Sequence, residues 1–77
     1  MSITFPLAQA GIGQTVRLVR IDGGRQLVRR LTELGFTPGV EMFVVHDAGG
    51  PLLVSVRDSR VALGRGMAHK LHVSATI

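Results

Sequence analysis

The sequence predicts a mainly β fold: a small, closed or nearly closed barrel of about five strands, with one short helix inserted after the first strand. Three observations predict it. Short β-branched runs recur along the chain, each bounded by glycine, aspartate or proline. One stretch, from Arg25 to Gly39, carries helical periodicity instead. The chain has 77 residues and no cysteine, so no disulfide holds it. A chain of this size buries only about 60% of its unfolded surface. Curling the sheet on itself encloses a thin core and removes edges that invite aggregation. One domain, 1–77, is the expected organisation.

The elements follow in order. Pro6 to Ala10 has room for one helical turn before Gly11 and Gly13. Thr15 to Ile21 is the first strand expected. Its alternation slips, with Val16 and Leu18 on one face and Val19 and Ile21 on the other. A bulge, or burial on both faces, accounts for the slip. Asp22-Gly23-Gly24 is a turn. The helix runs from about Gln26 to Leu34, with Leu27, Leu31 and Leu34 at i, i+4 and i+7 on one face and Val28 widening the stripe.

Gly35 stands at the left-handed C′ position and Phe36 at C″, where it can pack back on Leu31. Pro38-Gly39 suits the centre of a type II turn. Val40 to Val45 is the second strand, and Asp47 to Pro51 is a hairpin loop. Leu52 to Arg57 alternates with Leu52, Val54 and Val56 inward. After a turn at Asp58-Ser59, Arg60 to Leu63 turns Val61 and Leu63 inward. Gly64 to His69 is a connector with at most a 3₁₀ turn. Lys70 to Ser74 is the last strand, with Leu71 and Val73 inward.

Hydrophobic residues make up 45%, which is ample for a core and excludes disorder. No apolar run approaches the ~18 residues of a membrane span, so no membrane insertion is expected. The first residues lack a basic segment followed by a long apolar one, so no secretory signal is expected. Net charge is +4, and eight of the nine bases are arginine. They are scattered rather than run together. A basic surface suits an acidic protein, an anionic membrane or nucleic acid.

The order Arg30-Leu31, Leu34-Gly35, Pro38-Gly39, Gly50-Pro51, Val54, Val56, Ala62-Leu63, Ala68, Leu71 and Val73 resembles the FeoA family of small cytoplasmic proteins of bacterial ferrous iron uptake. The likeness covers Leu7 to Val73, and R-L-x-x-L-G-x-x-P-G is its most specific part. Gly64-Arg65-Gly66-Met67 is more glycine-rich than the family usually shows. The resemblance implies an SH3-like barrel with a helix between its first two strands. It implies a non-enzymatic accessory that binds a FeoB-type membrane GTPase transporter of Fe²⁺. Its location would be cytoplasmic, or peripheral at the inner membrane through that transporter. A weak homo-oligomer is compatible with this reading. Similar domains end some metal-dependent transcriptional regulators, so a stand-alone metal-sensing domain is an alternative.

The residues themselves show no catalytic constellation. No serine has the acid and histidine spacing of a nucleophile. The glycines form neither a phosphate loop nor a dinucleotide fingerprint, so no cofactor is expected. His69 and His72 lie three apart, and His46-Asp47 adds donors that suit Fe²⁺ or Zn²⁺. These three histidines are the weak metal candidates. The expectation is no metal site, because a site needs three or four aimed ligands.

Nucleic acid, the other alternative for a small basic barrel, is not expected. The chain has three phenylalanines and no tyrosine or tryptophan, and Phe43 is expected in the core. Partner binding is assigned instead to the helix and its exit: Arg25, Arg29 and Arg30 as donors, with Leu34, Phe36 and Thr37 as the contact patch.

Overall fold

A computed structural model describes residues 3–76. Six strands form one antiparallel sheet: β1 (Thr4–Pro6), β2 (Thr15–Ile21), β3 (Glu41–Asp47), β4 (Leu52–Val56), β5 (Ser59–Leu63) and β6 (Leu71–Ala75). Their spatial order is β1-β6-β2-β3-β4-β5. The helix α1 (Arg25–Glu33) joins β2 to β3, and the short helix α2 (Arg65–Ala68) joins β5 to β6. A 3₁₀ turn, Leu7–Gln9, follows β1.

One apolar core fills the curl of the sheet. Val16 and Leu18, Met42 and Val44, then Leu52, Val54 and Val56, then Leu71 and Val73 supply its inward rows. Leu7, Leu31, Phe36 and Ala68 close it from the connecting segments. The alternation expected in β4 and β6 is therefore observed. The slip expected in the first long strand is a bulge: Leu18 pairs with Val73 and Arg20 with His72, leaving Val19 as the extra residue. Beyond it Ile21 returns toward the core while Val19 stays exposed.

Four expectations are corrected. The strands number six, because Thr4–Pro6 pairs with β6. That run has three residues and ends in Pro6, too short to carry a period of its own. The inserted helix consequently follows the second strand. The connector after Leu63 is an α-helical turn, with Ala68 N–H donating to the Gly64 carbonyl. Phe43 lies on the outer face of β3 and is 39% exposed, because Met42 and Val44 take the inward positions. Of the two forms expected, the barrel is the nearly closed one, with β1 and β5 at the two ends of the sheet.

Candidate partner-binding surface on the inserted helix

The helix ends as its sequence dictates. The Phe36 N–H donates to the Leu31 carbonyl at 2.9 Å and the Gly35 N–H to that of Thr32 at 3.0 Å, the two bonds of a Schellman ending. Gly35 has φ +105°, which glycine adopts without steric cost. Leu31 and Phe36 are both buried, giving the apolar contact that accompanies this motif. A type II turn follows, with Gly39 at φ +89° and the Val40 N–H donating to the Thr37 carbonyl. The Gly39 N–H donates to the Leu18 carbonyl at 2.7 Å, which ties the turn to β2.

Arg57 straps this exit from the other side. Its Nη2 donates to Thr37 Oγ1 at 3.0 Å and its Nε reaches the Gly35 carbonyl at 3.4 Å. Arg57 has φ +54°, unusual for a side chain of its size, in the turn between β4 and β5. Nothing in the local sequence signals that strap, because its partners lie 20 and 22 residues away.

The start of the helix is plainer. Gly24 is the N-cap and makes no side-chain cap, and the first turn carries no acid. Arg25 stands there instead, where the helix dipole disfavours a cation. Leu27 packs close over Gly23: a Cβ there would lie 2.4 Å from Leu27 Cδ2, so the leucine would have to shift to admit one. Beside this end lies an open depression of about 500 Å³, lined by Gly23, Arg25, Gln26, Val28 and Arg29.

The expected contact residues divide. Leu31 seals the core, Leu27 is half-buried, and Leu34 is 45% exposed. Phe36 is fully buried, so its side chain is withdrawn from the surface and its placement in the patch is corrected. Thr37 is half-buried with its hydroxyl engaged by Arg57. Arg29 pairs with Glu33 at 3.4 Å. Arg25 and Arg30 have no ion pair within 4.0 Å among the described residues. Leu34 overhangs a cleft of about 180 Å³ between α1 and the β5–α2 corner, where Leu27, Arg30, Ala62 and Met67 also stand. Ala62 and Met67 escaped sequence reasoning, because only the sheet topology brings them to the helix.

The histidines are dispersed in role. His72 is half-buried and its Nε2 lies 2.7 Å from Asp22 Oδ2, joining β6 to the turn before α1. His69 follows α2 and is exposed, and His46 is exposed near the end of β3. No group of three His, Cys, Asp or Glu side chains converges among the described residues. Asp47, next to His46, is committed elsewhere. The Gly49 amide holds its carboxyl below the usual aspartate range; burial opposes this, and the Arg65 guanidinium adds to the lowering.

The comparisons agree with this geometry. The FeoA domain family matches residues 5–75. A protein of Methanocaldococcus jannaschii named Fe(2+) transport protein A is 36% identical over 69 residues, spanning 90% of this chain and 84% of that one. The crystal structure of an iron uptake regulatory protein, FeoA, superposes with a TM-score of 0.89 at 32% identity, covering 96% of this chain and all of that one. The zinc complex of Stenotrophomonas maltophilia FeoA, described as an SH3 domain protein, gives 0.78 at 29% identity, over 95% and 88% of the two chains. With its SH3-like sheet and the R-L-x-x-L-G-x-x-P-G helix exit in place, the chain belongs to the FeoA family.

Proposed function

We propose that this protein is a cytoplasmic accessory of ferrous iron transport that binds the cytosolic part of a FeoB-type membrane GTPase transporter and acts without catalysis of its own. One observation carries the reading. An exposed leucine, Leu34, stands over a cleft of mixed polarity lined by Leu27, Ala62 and Met67, beside Arg30, a guanidinium without an ion pair among the described residues. Apolar surface rimmed by unpaired cations suits an acidic protein surface better than it suits solvent. Among the described residues no helix is long and apolar enough to cross a membrane. Such an adaptor alters transport only if it binds two transporter states with different affinity.

The test is a pull-down of the chain against the transporter's soluble GTPase domain and against the whole transporter, with and without GTP and Fe²⁺. Association that Arg30→Glu and Leu34→Asp each weaken, with folding intact, is the expected result. No association under any condition refutes the reading.

A second reading has one observation behind it. Phe43 is exposed on the outer face of the sheet, and the register places Ser55 and then Arg60 beside it on that face. One aromatic with a nearby arginine is the minimum for stacking on a base. Binding of single-stranded RNA that falls steeply with salt and is lost in Phe43→Ala would favour it.

A further inference from the structure

The sheet keeps one usable edge. β1 is three residues long and ends in Pro6, which has no N–H to offer, so that side is blunted. β5, at the other end of the strand order, has five residues and no proline. Its hairpin with β4 turns through Arg57 and Asp58, which makes Val56 and Ser59 the hydrogen-bonded pair next to the turn. Alternation then makes Val54–Val61 and Leu52–Leu63 hydrogen-bonded pairs as well. The backbone N–H and C=O groups of Arg60 and Ala62 therefore point to the open side. Among the described residues neither makes a backbone bond outside helices and strands. The open side gives onto the α1 cleft, with Ala62 and Leu63 on one wall and Leu27, Arg30 and Leu34 on the other.

We infer that this edge and cleft together bind an extended acidic segment of a partner protein by strand addition. The segment's backbone pairs with Arg60 and Ala62. One of its aliphatic or aromatic side chains enters the cleft against Leu27, Leu34 and Met67. Flanking carboxylates meet Arg30 and Arg60, two guanidinium groups with no ion pair within 4.0 Å among the described residues. Charge selects this occupant over a second copy of the chain. Antiparallel pairing of two β5 edges centred on Arg60 or Val61 sets the two Arg60 side chains on one face, directly opposite or at neighbouring same-face positions, and β5 has no acid to offset them. The inference deepens the proposed partner binding and rests on it for the choice of a protein partner.

The test is amide hydrogen exchange on the full chain with two probes. One is a short synthetic peptide of alternating valine and threonine around a central leucine, with glutamates at both ends. The other is the transporter's soluble GTPase domain. Each probe is expected to slow exchange at the Arg60 and Ala62 amides, and a peptide with lysines for glutamates is expected not to bind. Ala62→Pro removes an outward N–H at an edge position that tolerates proline. It should weaken binding about tenfold, the worth of an interfacial hydrogen bond. Arg30→Glu should do so equally and leaves the backbone untouched, so the test stands even if the proline variant fails to fold.

A GTPase domain that binds while Arg60 and Ala62 exchange at unchanged rates overturns this inference and leaves the partner reading standing. Peptide capture without GTPase binding does the reverse. Slowed exchange in the chain alone, rising with its concentration, overturns it in favour of a second copy. Failure of both probes overturns both.

Discussion

The two ends of α1 are built to different standards. At the exit, a Schellman ending, a type II turn, the buried pair Leu31–Phe36 and the Arg57 strap all constrain the same few residues. At the start, a glycine N-cap makes no side-chain bond and Arg25 opposes the helix dipole. A domain that sought stability alone would place Ser or Asp before the helix and an acid in its first turn. The difference teaches where the fold is held and where its surface is left for something else. The exit aims β3 and fills the core, whereas the start presents Arg25, Val28 and Arg29 to solvent.

The largest effects should therefore fall at the exit. Phe36→Ala opens a cavity in a fully buried site, and such truncations cost about 3–5 kcal/mol. A domain of this length holds roughly 4–12 kcal/mol in total. We expect a large fall in urea midpoint for Phe36→Ala, and Leu31→Asp should not fold at all. A cooperatively melting Leu31→Asp variant would remove the core contact from the comparison. Next comes Gly35→Ala. The new Cβ sits at φ +105°, in van der Waals contact with Arg57 Cδ at 3.4 Å, so its cost is backbone strain. A loss of about 1–2 kcal/mol is expected, read as a fall in melting temperature of several degrees.

This asymmetry also explains what was legible in the sequence. Leu31, Gly35, Pro38 and Gly39 act through neighbours a few residues away, so their roles follow from local stereochemistry. The bulge at Val19 was legible for the same reason, since a broken period of two has few causes. Phe36 turns back into the core as its C″ position predicts and so leaves the contact patch, whereas Phe43, expected in the core, takes the outward phase of a strand whose start lay one residue later than read. β1, the Arg57 strap and the Ala62–Met67 wall of the cleft depend on contacts across the sheet. No local period carries those. Of the proposed partner patch, Arg30 and Leu34 were named from the sequence, but the cleft between them and β5 was not legible there.

The start of the helix gives smaller effects of the opposite sign. Gly24→Asp supplies an N-cap acceptor and a favourable charge, reduces the freedom of the unfolded chain, and meets nothing within 4 Å at a compatible φ of −72°. It should stabilise by about 1 kcal/mol, a rise of ~4–8 °C in melting temperature. No gain would mean that the start is already satisfied, and the contrast between the two ends would weaken.

Arg25→Gln is the smallest change and the one that best separates stability from function. It removes a cation from the first turn without shortening the side chain much, so the helix should gain a few tenths of a kcal/mol at low salt, fading as salt screens the dipole. If the start is left suboptimal because Arg25 serves a partner, the same variant should bind the transporter's GTPase domain severalfold more weakly. Stability and binding then move in opposite directions at one residue. A purely structural Arg25 would move neither binding nor its salt dependence. An Arg25→Gln variant that is slightly more stable and binds as tightly as the parent would confine the partner surface to Arg30, Leu34 and the cleft.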